Sequence, residues 1–283
     1  MIKLRYEEET ALLRGIIFKV RNELGGGWSE EIYHQAFVHM LHENGVPVVS
    51  KPRRWLLHRG AEVHLFEPDL IVWDKIVLEL KALPYQKKFT GEQFAQIVHY
   101  LKFWQMDLGL LVNFGPSKVH IQRVIWDEPD MELDEEYDKI RPFLTQQDKT
   151  ILREIRHHIR SIAHQYGLGF PEAMYRKLIA IELNHNRLSC ISDVHVTPLW
   201  NGRTLPGHTT NHLLVADNYL LRIRSMLEFP TVHDFTSTQT YLHNLGLQLA
   251  LIVNFGQKQL QIYGVKAGEP KATVFTPSVS TKE

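Results

Sequence analysis

Residues 68–82 read PDLIVWDKIVLELKA, and this stretch decides the fold predicted for the chain. Two apolar runs, LIV and IVL, flank a short turn at Asp74-Lys75, a pattern typical of a hairpin of mostly buried strands. Residues two apart on a strand point to the same face, so Glu79 and Lys81 share one face of the second strand. Asp69 opens the first strand, and the hairpin can bring it beside that pair.

The charged residues of this hairpin form a candidate chemical site. Asp69 and Glu79 offer the hard oxygen ligands that Mg²⁺ and Mn²⁺ prefer. A lysine beside them can orient or deprotonate water and offset developing negative charge. The alternative is that Asp69 caps a strand and that Glu79 and Lys81 form a surface ion pair. A charged pair inside IVLELKAL favours the first interpretation if the strand is central, because burying unpaired charge is costly.

The segments around the hairpin predict helices and further strands. Apolar spacing predicts helices over residues 6–24, 28–44 and 91–105. Extended segments are predicted near 46–49, 54–58 and 62–66, and again in LGLLVNF and KVHIQRV. The order predicts an α/β module in which helices pack against a mixed sheet.

A second, altered copy of this module follows in the chain. The first copy contains GWSEEIY, PDLIVWDKIVLELK, QIVHY and LLVNFG, and the second contains GFPEAMY, NHLLVADNYLLRIR, STQTY and LIVNFG. Gly27 matches Gly169 and Asn113 matches Asn254, at separations of 142 and 141 residues. Four blocks in the same order at nearly the same spacing predict two tandem domains.

Composition and charge set the predicted boundaries. We predict a first domain over 1–126, an acidic segment over 127–145 that is a solvated linker or a helix start, a second domain over 146–266, and a disordered tail over 267–283. Residues 1–126 carry 16 Lys and Arg against 14 Asp and Glu, and residues 146–283 carry 14 against 10, whereas the acidic segment carries 2 against 8. The net charge of zero argues against a nucleic-acid partner, but the uneven distribution of charge is compatible with a local basic groove.

The composition is that of a soluble globular protein. No apolar run approaches the roughly 20 residues needed to span a bilayer. Cys190 is the only cysteine, which excludes an intrachain disulfide and a cysteine-rich zinc site. The N-terminal residues are acidic where a signal peptide would be basic and then apolar. We therefore expect a cytoplasmic location and no membrane partner.

Five blocks in order resemble the GxxExxY family of the PD-(D/E)XK nuclease superfamily, in the motif style of RecB-like nucleases. The blocks are Gly27-x-x-Glu30-x-x-Tyr33, Pro68-Asp69, Glu79-Leu80-Lys81, Gln96-x-x-x-Tyr100 and LLVNFG. The resemblance covers residues 8–125, and residues 150–265 as a degenerate copy. It implies two tandem restriction-endonuclease-like αβββαβ domains.

The resemblance also implies a site and an activity. Asp69 and Glu79, with the Leu80 carbonyl, would bind Mg²⁺ or Mn²⁺, and Lys81 would be the catalytic lysine. Glu30 would be an accessory acid, and Gln96 and Tyr100 would contact the phosphate or position the lysine. The implied activity is hydrolysis of nucleic-acid phosphodiester bonds by water attacking phosphorus, with DNA favoured as the substrate.

The second copy departs from the pattern. Aligning Asp217 with Asp74 puts His212, Arg222 and Arg224 at the positions of Asp69, Glu79 and Lys81, and Glu172 keeps the place of Glu30. Because arginine cannot ligate a cation, we do not expect metal-dependent catalysis by this copy. Its two arginines either pair internally with Glu172 or bind phosphate. The second domain would then serve packing or substrate binding as an internal pseudo-dimer partner.

The competing hypothesis is a catalytically silent nucleic-acid-binding or assembly module, in which even the first site is vestigial. The intact Asp69, Glu79 and Lys81 argue against this alternative, and the neutral overall charge argues for it.

Overall fold

The computed structural model describes residues 5–227 and 230–268. The chain divides into two compact units, Met1–Pro129 and Asp130–Glu283. From residue 269 onward, the tail predicted to be disordered lies outside the described residues. None of the helices in the described ranges combines the length and apolar character needed to cross a membrane.

The first unit follows the order predicted from its sequence. Its helices are α1 (Glu7–Leu24), α2 (Glu30–Glu43) and α3 (Gly91–Trp104). Its strands are β1 (Val48–Ser50), β2 (Arg54–His58), β3 (Ala61–Phe66), β4 (Leu70–Val72), β5 (Ile76–Lys81), β6 (Leu108–Asn113) and β7 (His120–Ile125). Five strands form one mixed sheet in the order β1-β4-β5-β6-β7, while β2 and β3 pair as a separate two-stranded sheet.

The hairpin of β4 and β5 forms as its sequence predicts. Leu70 pairs with Leu78 and Val72 with Ile76 in antiparallel register. The turn places Trp73 and Asp74 at φ of 53° and 54°, the left-handed conformation that matches the twist of a tight hairpin. On its other side β5 pairs in parallel with β6, so β5 is a central strand.

Helices cover both faces of this sheet. Leu13, Ile17 and Phe37, from α1 and α2, share one buried core with Leu78 and Leu80 of β5. Helix α3 packs close to β6 on the opposite side. A Cβ atom added at Gly109 would lie 2.6 Å from the Ile97 side chain. Alternation along β5 therefore turns Glu79 and Lys81 toward α3.

The second unit repeats this arrangement. Its helices are α4 (Gln146–Tyr166), α5 (Glu172–His185) and α6 (Val232–Leu245), with a short 3₁₀ turn at Arg141–Phe143. Its strands are β8 (Glu132–Glu136), β9 (Cys190–Ser192), β10 (His195–Val196), β11 (Leu199–Trp200), β12 (Arg203–Thr204), β13 (His208–Thr209), β14 (Leu213–Val215), β15 (Tyr219–Arg224), β16 (Leu249–Phe255) and β17 (Gln259–Lys266). The main sheet runs β8-β17-β16-β15-β14-β9, with β15 and β16 parallel. The prediction of two α/β domains with mixed sheets and flanking helices is confirmed.

The acidic segment is not a linker over its whole length, contrary to the prediction for 127–145. Strand β8 adds to the second sheet in parallel with β17. Its carboxylates have partners there, because Glu135 accepts two hydrogen bonds from Arg156 and Asp134 accepts one from the Tyr263 hydroxyl. The segment extends the sheet because its backbone pairs with an edge strand and its charges are compensated.

Two of the repeated sequence blocks meet in the core of each unit. Tyr33 stacks on Phe114 with ring centroids 4.7 Å apart, and Tyr175 stacks on Phe255 at 3.9 Å. The Tyr33 hydroxyl donates to the Gly25 carbonyl at 2.8 Å, as that of Tyr175 does to Gly167 at 2.7 Å. The tyrosine and phenylalanine of these blocks therefore hold the fold together in both units.

The asparagine of LLVNFG fixes the loop that follows β5. Asn113 is 1% exposed. Its Oδ1 accepts from the amides of Leu83 and Gly115, and its Nδ2 donates to the carbonyls of Leu83 and Gln86. The side chain thus anchors the chain just beyond Lys81. Asn254 makes the matching contacts with the amide and carbonyl of Met226.

We expect Asn113→Ala to lower the free energy of unfolding by about 3 kcal/mol, because several partly buried backbone groups lose their partners. Hydrogen exchange measured by NMR should accelerate at the amides of Leu83 and Gly115. The control is Asn218→Ala, on an exposed turn, for which we expect a change within about 0.5 kcal/mol. Unchanged exchange at both amides would contradict this role for Asn113.

Candidate active site

Asp69 and Glu79 lie opposite each other at one end of the central hairpin. Asp69 directly precedes the first residue of β4, and Glu79 directly follows Leu78, which pairs with Leu70. The Asp69 Oδ2 atom accepts a hydrogen bond from the Leu80 amide at 2.7 Å. The hairpin therefore brings together the two carboxylates that its sequence singles out.

Glu79 is buried although it carries an ionisable group. The residue is 3% exposed. Burial, followed by repulsion from Asp69, raises the pKa of the Glu79 carboxyl to about 7. Its Oε1 accepts from Lys81 at 2.7 Å, whereas its buried Oε2 has no hydrogen-bond partner. A buried carboxylate oxygen without a partner is costly, which marks this atom as a place for a cation or a further donor.

Lys81 bridges the two sides of the site. Its Nζ lies 2.7 Å from Glu79 Oε1 and 3.9 Å from Glu30 Oε2. Burial lowers the pKa of the Lys81 ammonium, but attraction to Glu79, Glu30 and Asp69 outweighs it, and the net shift is upward. Lys81 is therefore a cation at neutral pH.

Glu30 begins α2 and is partly exposed. Burial, partly opposed by Lys81, raises the pKa of the Glu30 carboxyl. The glycine three residues earlier, Gly27, has φ of 91°, a conformation that favours glycine. This turn sets the start of the helix and hence the position of Glu30 beside Lys81.

Gln96 and Tyr100 form a hydrogen-bonded chain on α3. The Gln96 amide donates to the Tyr100 hydroxyl at 3.1 Å, and that hydroxyl donates to the Glu67 carbonyl at 3.0 Å. Burial and then the charge of Glu79 raise the pKa of Tyr100 to about 12. This chain braces the residues that lead into Asp69.

The donor set suits a hard divalent cation. Asp69, Glu79 and the Leu80 carbonyl offer only oxygen, which Mg²⁺ and Mn²⁺ prefer. The unpartnered Glu79 Oε2 fits a cation as its missing neighbour. Within residues 5–227 and 230–268, no group of three or more His, Cys, Asp or Glu side chains is clustered tightly enough to hold a metal by itself. A cation at this site would therefore depend on backbone and water oxygens as well.

The matching place in the second unit holds a network of ion pairs. Asp234 is 1% exposed, and its Oδ1 lies 2.9 Å from Arg222 Nη2 and 2.7 Å from Arg224 Nη2. Arg224 also lies 3.3 Å from Glu172, while Arg222 donates to the Ser237 hydroxyl. His212 lies edge-on to Tyr241, with ring centroids 4.8 Å apart.

The sequence analysis did not single out Asp234, although its place in a helix cap could have identified it. It holds the third position of α6, where its side chain and that of Thr231 cap the helix reciprocally. Gln93 has that position in α3 of the first unit. The second unit thus has Asp234 where the first has Gln93, one helical turn before the aligned pair of Ser237 and Gln96. This change to an acid accompanies the change to two arginines on the strand.

Comparison with known proteins places the chain in a family. No curated protein matches it. A solved structure described as "Crystal structure of SSO0001" is 22% identical, with a TM-score of 0.28, over 44% of this chain and 62% of that chain, which is less than two thirds of its length.

The family model described as the PD-(D/E)XK nuclease superfamily matches two segments, residues 7–124 and 149–265. The first segment runs from α1 into β7, and the second runs from α4 into β17 and leaves out β8. The chain belongs to the PD-(D/E)XK nuclease superfamily.

Proposed function

We propose that the first unit is a nuclease that hydrolyses nucleic-acid phosphodiester bonds with Mg²⁺ or Mn²⁺, and that it is of the GxxExxY type. One observation carries the proposal. The buried Glu79 lies beside Asp69 and Lys81, and its Oε2 has no hydrogen-bond partner. If Glu79 and Lys81 formed only a surface ion pair, the carboxylate would not be buried. If Glu79 were a buried carboxylate with only a structural role, both of its oxygens would have hydrogen-bond partners.

Asp69, Glu79 and the Leu80 carbonyl would hold the divalent cation. When bound, the cation stabilises negative charge on phosphoryl oxygens and makes water a better nucleophile. It would also lower the pKa of Glu79, which burial and then repulsion from Asp69 keep high.

Lys81 would stabilise the charge that develops on the phosphoryl group during attack by water. Because the pKa of Lys81 is raised, the ammonium stays protonated and serves as a positioned cation and donor rather than as a base. Glu30, 3.9 Å away, would hold it in place. The hydrogen bonds of Gln96 and Tyr100 lead to the Glu67 carbonyl and not to Lys81. We therefore assign these two residues to substrate contact or to bracing the loop before Asp69.

The loop after β5 supports a nucleic-acid substrate, and DNA is the substrate that the sequence resemblance favours. Tyr85 is 96% exposed, and Lys87 and Lys88 are exposed beside it. The Asn113 contacts anchor this loop next to Lys81. An aromatic ring for stacking and two ammonium groups for phosphates are the groups that bind a polynucleotide strand.

The second unit is a degenerate, non-catalytic copy in this proposal. Arg222 and Arg224 are fixed by Asp234 at the positions of Glu79 and Lys81. Guanidinium groups do not ligate cations, and their charge repels a divalent ion.

The metal site predicts the behaviour of Asp69→Asn and Glu79→Gln. Each change should weaken Mn²⁺ binding, measured by calorimetry, by more than about 100-fold and abolish Mg²⁺- or Mn²⁺-dependent cleavage. In chelator the melting temperature should not fall, because each change removes one of two repelling carboxylates. Cleavage is tested on single-stranded, duplex and branched DNA and on RNA.

The matched control is Glu92→Gln, an exposed carboxylate on α3, which should leave binding and cleavage unchanged. If both site variants bind Mn²⁺ like the wild-type chain, the metal site is wrong and the alternative of a silent binding or assembly module stands.

Lys81→Ala tests the assigned role of the ammonium. We expect Mn²⁺ affinity within a few-fold of the wild-type chain and single-turnover cleavage slower by about 10²–10³. The rates are compared over a series of pH values, because loss of Lys81 raises the pKa of Glu79 further. Lys19→Ala, at an exposed position on α1, is the control. Cleavage by Lys81→Ala at the wild-type rate would exclude this role.

Asp234→Asn tests the internal compensation of the second unit. Burial raises the pKa of Asp234, but hydrogen bonds from Thr231 and Arg224 outweigh it and lower that pKa to about 2. A carboxyl whose folded-state pKa is depressed contributes stability above its unfolded pKa and loses it as pH falls. We therefore expect Asp234→Asn to cost about 3 kcal/mol at pH 7, and less as pH falls from about 4 toward 2.

Urea denaturation followed by circular dichroism at pH 7, 4 and 3 gives this difference. Asp193→Asn, at an exposed position before β10, is the control. A stability difference for Asp234→Asn that does not change with pH would contradict the account.

A further inference from the structure

The second unit contains a pocket at the place of the first unit's candidate site. Its volume is about 300 Å³, and its lining includes Glu172, His208, His212, Arg222, Ser237 and Tyr241. His212 and Arg222 hold the positions that Asp69 and Glu79 hold in the first unit. A pocket therefore lies at the matching place, although the residues that suit a cation in the first unit are replaced in it.

Unpaired buried polar atoms are concentrated in this pocket. Among the described residues, the buried side-chain nitrogen and oxygen atoms without a hydrogen-bond partner are Glu79 Oε2, His120 Nδ1, both ring nitrogens of His212 and Arg222 Nε. Three of these five atoms thus belong to two pocket residues. His212 is 7% exposed and Arg222 is 8% exposed. Burying a polar atom without a hydrogen bond costs free energy, so these atoms favour the binding of a partner in the pocket.

The guanidinium of Arg222 is oriented before any ligand binds. Its Nη2 contacts Asp234 at 2.9 Å and its Nη1 contacts Ser237. Each Nη nitrogen therefore has a partner, whereas the buried Nε has none. Arg224 is engaged by both Asp234 and Glu172, so internal pairing accounts for Arg224 but not for Arg222 Nε or for His212.

His212 adds a second donor beside Arg222. Burial, then the charges of Arg222 and Arg224, lowers the pKa of His212 to about 4. The imidazole is therefore neutral at pH 7, with one N–H to donate and one nitrogen to accept. A metal ion is a poor partner for this ring because the guanidinium groups beside it repel cations.

We propose that this pocket binds a phosphoryl group, with Arg222 Nε and the His212 N–H as donors to its oxygens. An oxyanion matches a guanidinium donor and a neutral imidazole donor, and it is attracted by the arginines that repel a cation. The remaining imidazole nitrogen can accept from a protonated phosphate oxygen. The source is free phosphate, a nucleotide or a polynucleotide backbone; only the last of these rests on the proposed nuclease function.

The experiment titrates the full chain with inorganic phosphate at pH 7 and follows the Arg222 Nε–H and His212 ring signals by NMR, with calorimetry for affinity. We expect both signals to shift with one saturation curve. His212→Phe and Arg222→Lys should each weaken binding by roughly tenfold, the factor that corresponds to about 1.4 kcal/mol. Arg222→Lys retains a cation for Asp234, and the melting temperature verifies folding.

Matched controls are His243→Phe, exposed on α6, and Arg203→Lys, exposed on β12, which should leave affinity unchanged. Absence of wild-type shifts at tens of millimolar phosphate would overturn the proposal and indicate that water fills the pocket. Equal affinity of the wild-type chain and both pocket variants would overturn it as well.

Further titrations distinguish the source of the phosphoryl group. A 5′-phosphorylated nucleotide that binds more tightly than phosphate, while its nucleoside does not bind, identifies a nucleotide phosphate. An oligonucleotide without terminal phosphates that competes with phosphate identifies the backbone. The outcome is independent of cleavage: failure of phosphate binding alone refutes this pocket, whereas loss of the Asp69 and Glu79 effects alone refutes the proposed nuclease.

Discussion

Charge at the end of a buried central strand is the constraint on which both units depend. The strand must be apolar to sit between two neighbours and under helices on each face, yet positions 79 and 81 carry a carboxylate and an ammonium. Burial makes each of these groups dependent on its partners. In the first unit Lys81 compensates Glu79 only in part, because Asp69 and Glu30 add two more acids around one cation. This excess of acid makes a divalent cation chemically suited to the site.

The second unit meets the same constraint with two positive charges on the strand. Its strand carries two arginines, and the compensating acid comes from the neighbouring helix. Asp234 also caps α6 through Thr231, so one carboxylate serves both the helix end and the strand. Although the strand has no acid at the position of Glu79, Arg222 and Arg224 remain paired, because Asp234 lies on α6. The scaffold around the site is shared, as the stacked Tyr175 and Phe255 indicate.

The sequence predicted most of what depends on local pattern. The β4–β5 hairpin, the helices and the order of elements follow from apolar spacing and turn residues, because these features are determined by nearby residues. Strand β8 was missed because its acids have partners, such as Arg156, that lie far away in sequence. Asn113 was visible as part of a repeated block, but its four contacts depend on the loop fold. Asp234 was missed because its role depends on two residues of another element.

The two sites also differ in what remains unsatisfied, and this difference limits how one could be converted into the other. The first has an unpaired acceptor at Glu79, whereas the second has unpaired nitrogens at Arg222 and His212. Exchanging only the strand residues of the second unit for an acid and a lysine would leave Asp234 and Glu172 facing a further carboxylate, with histidine still in the place of Asp69. The compensating acid on α6 would then repel the introduced one. Recovery of a cation site would require the helix position and the hairpin position to change together, because the charge balance belongs to the whole cluster rather than to the strand.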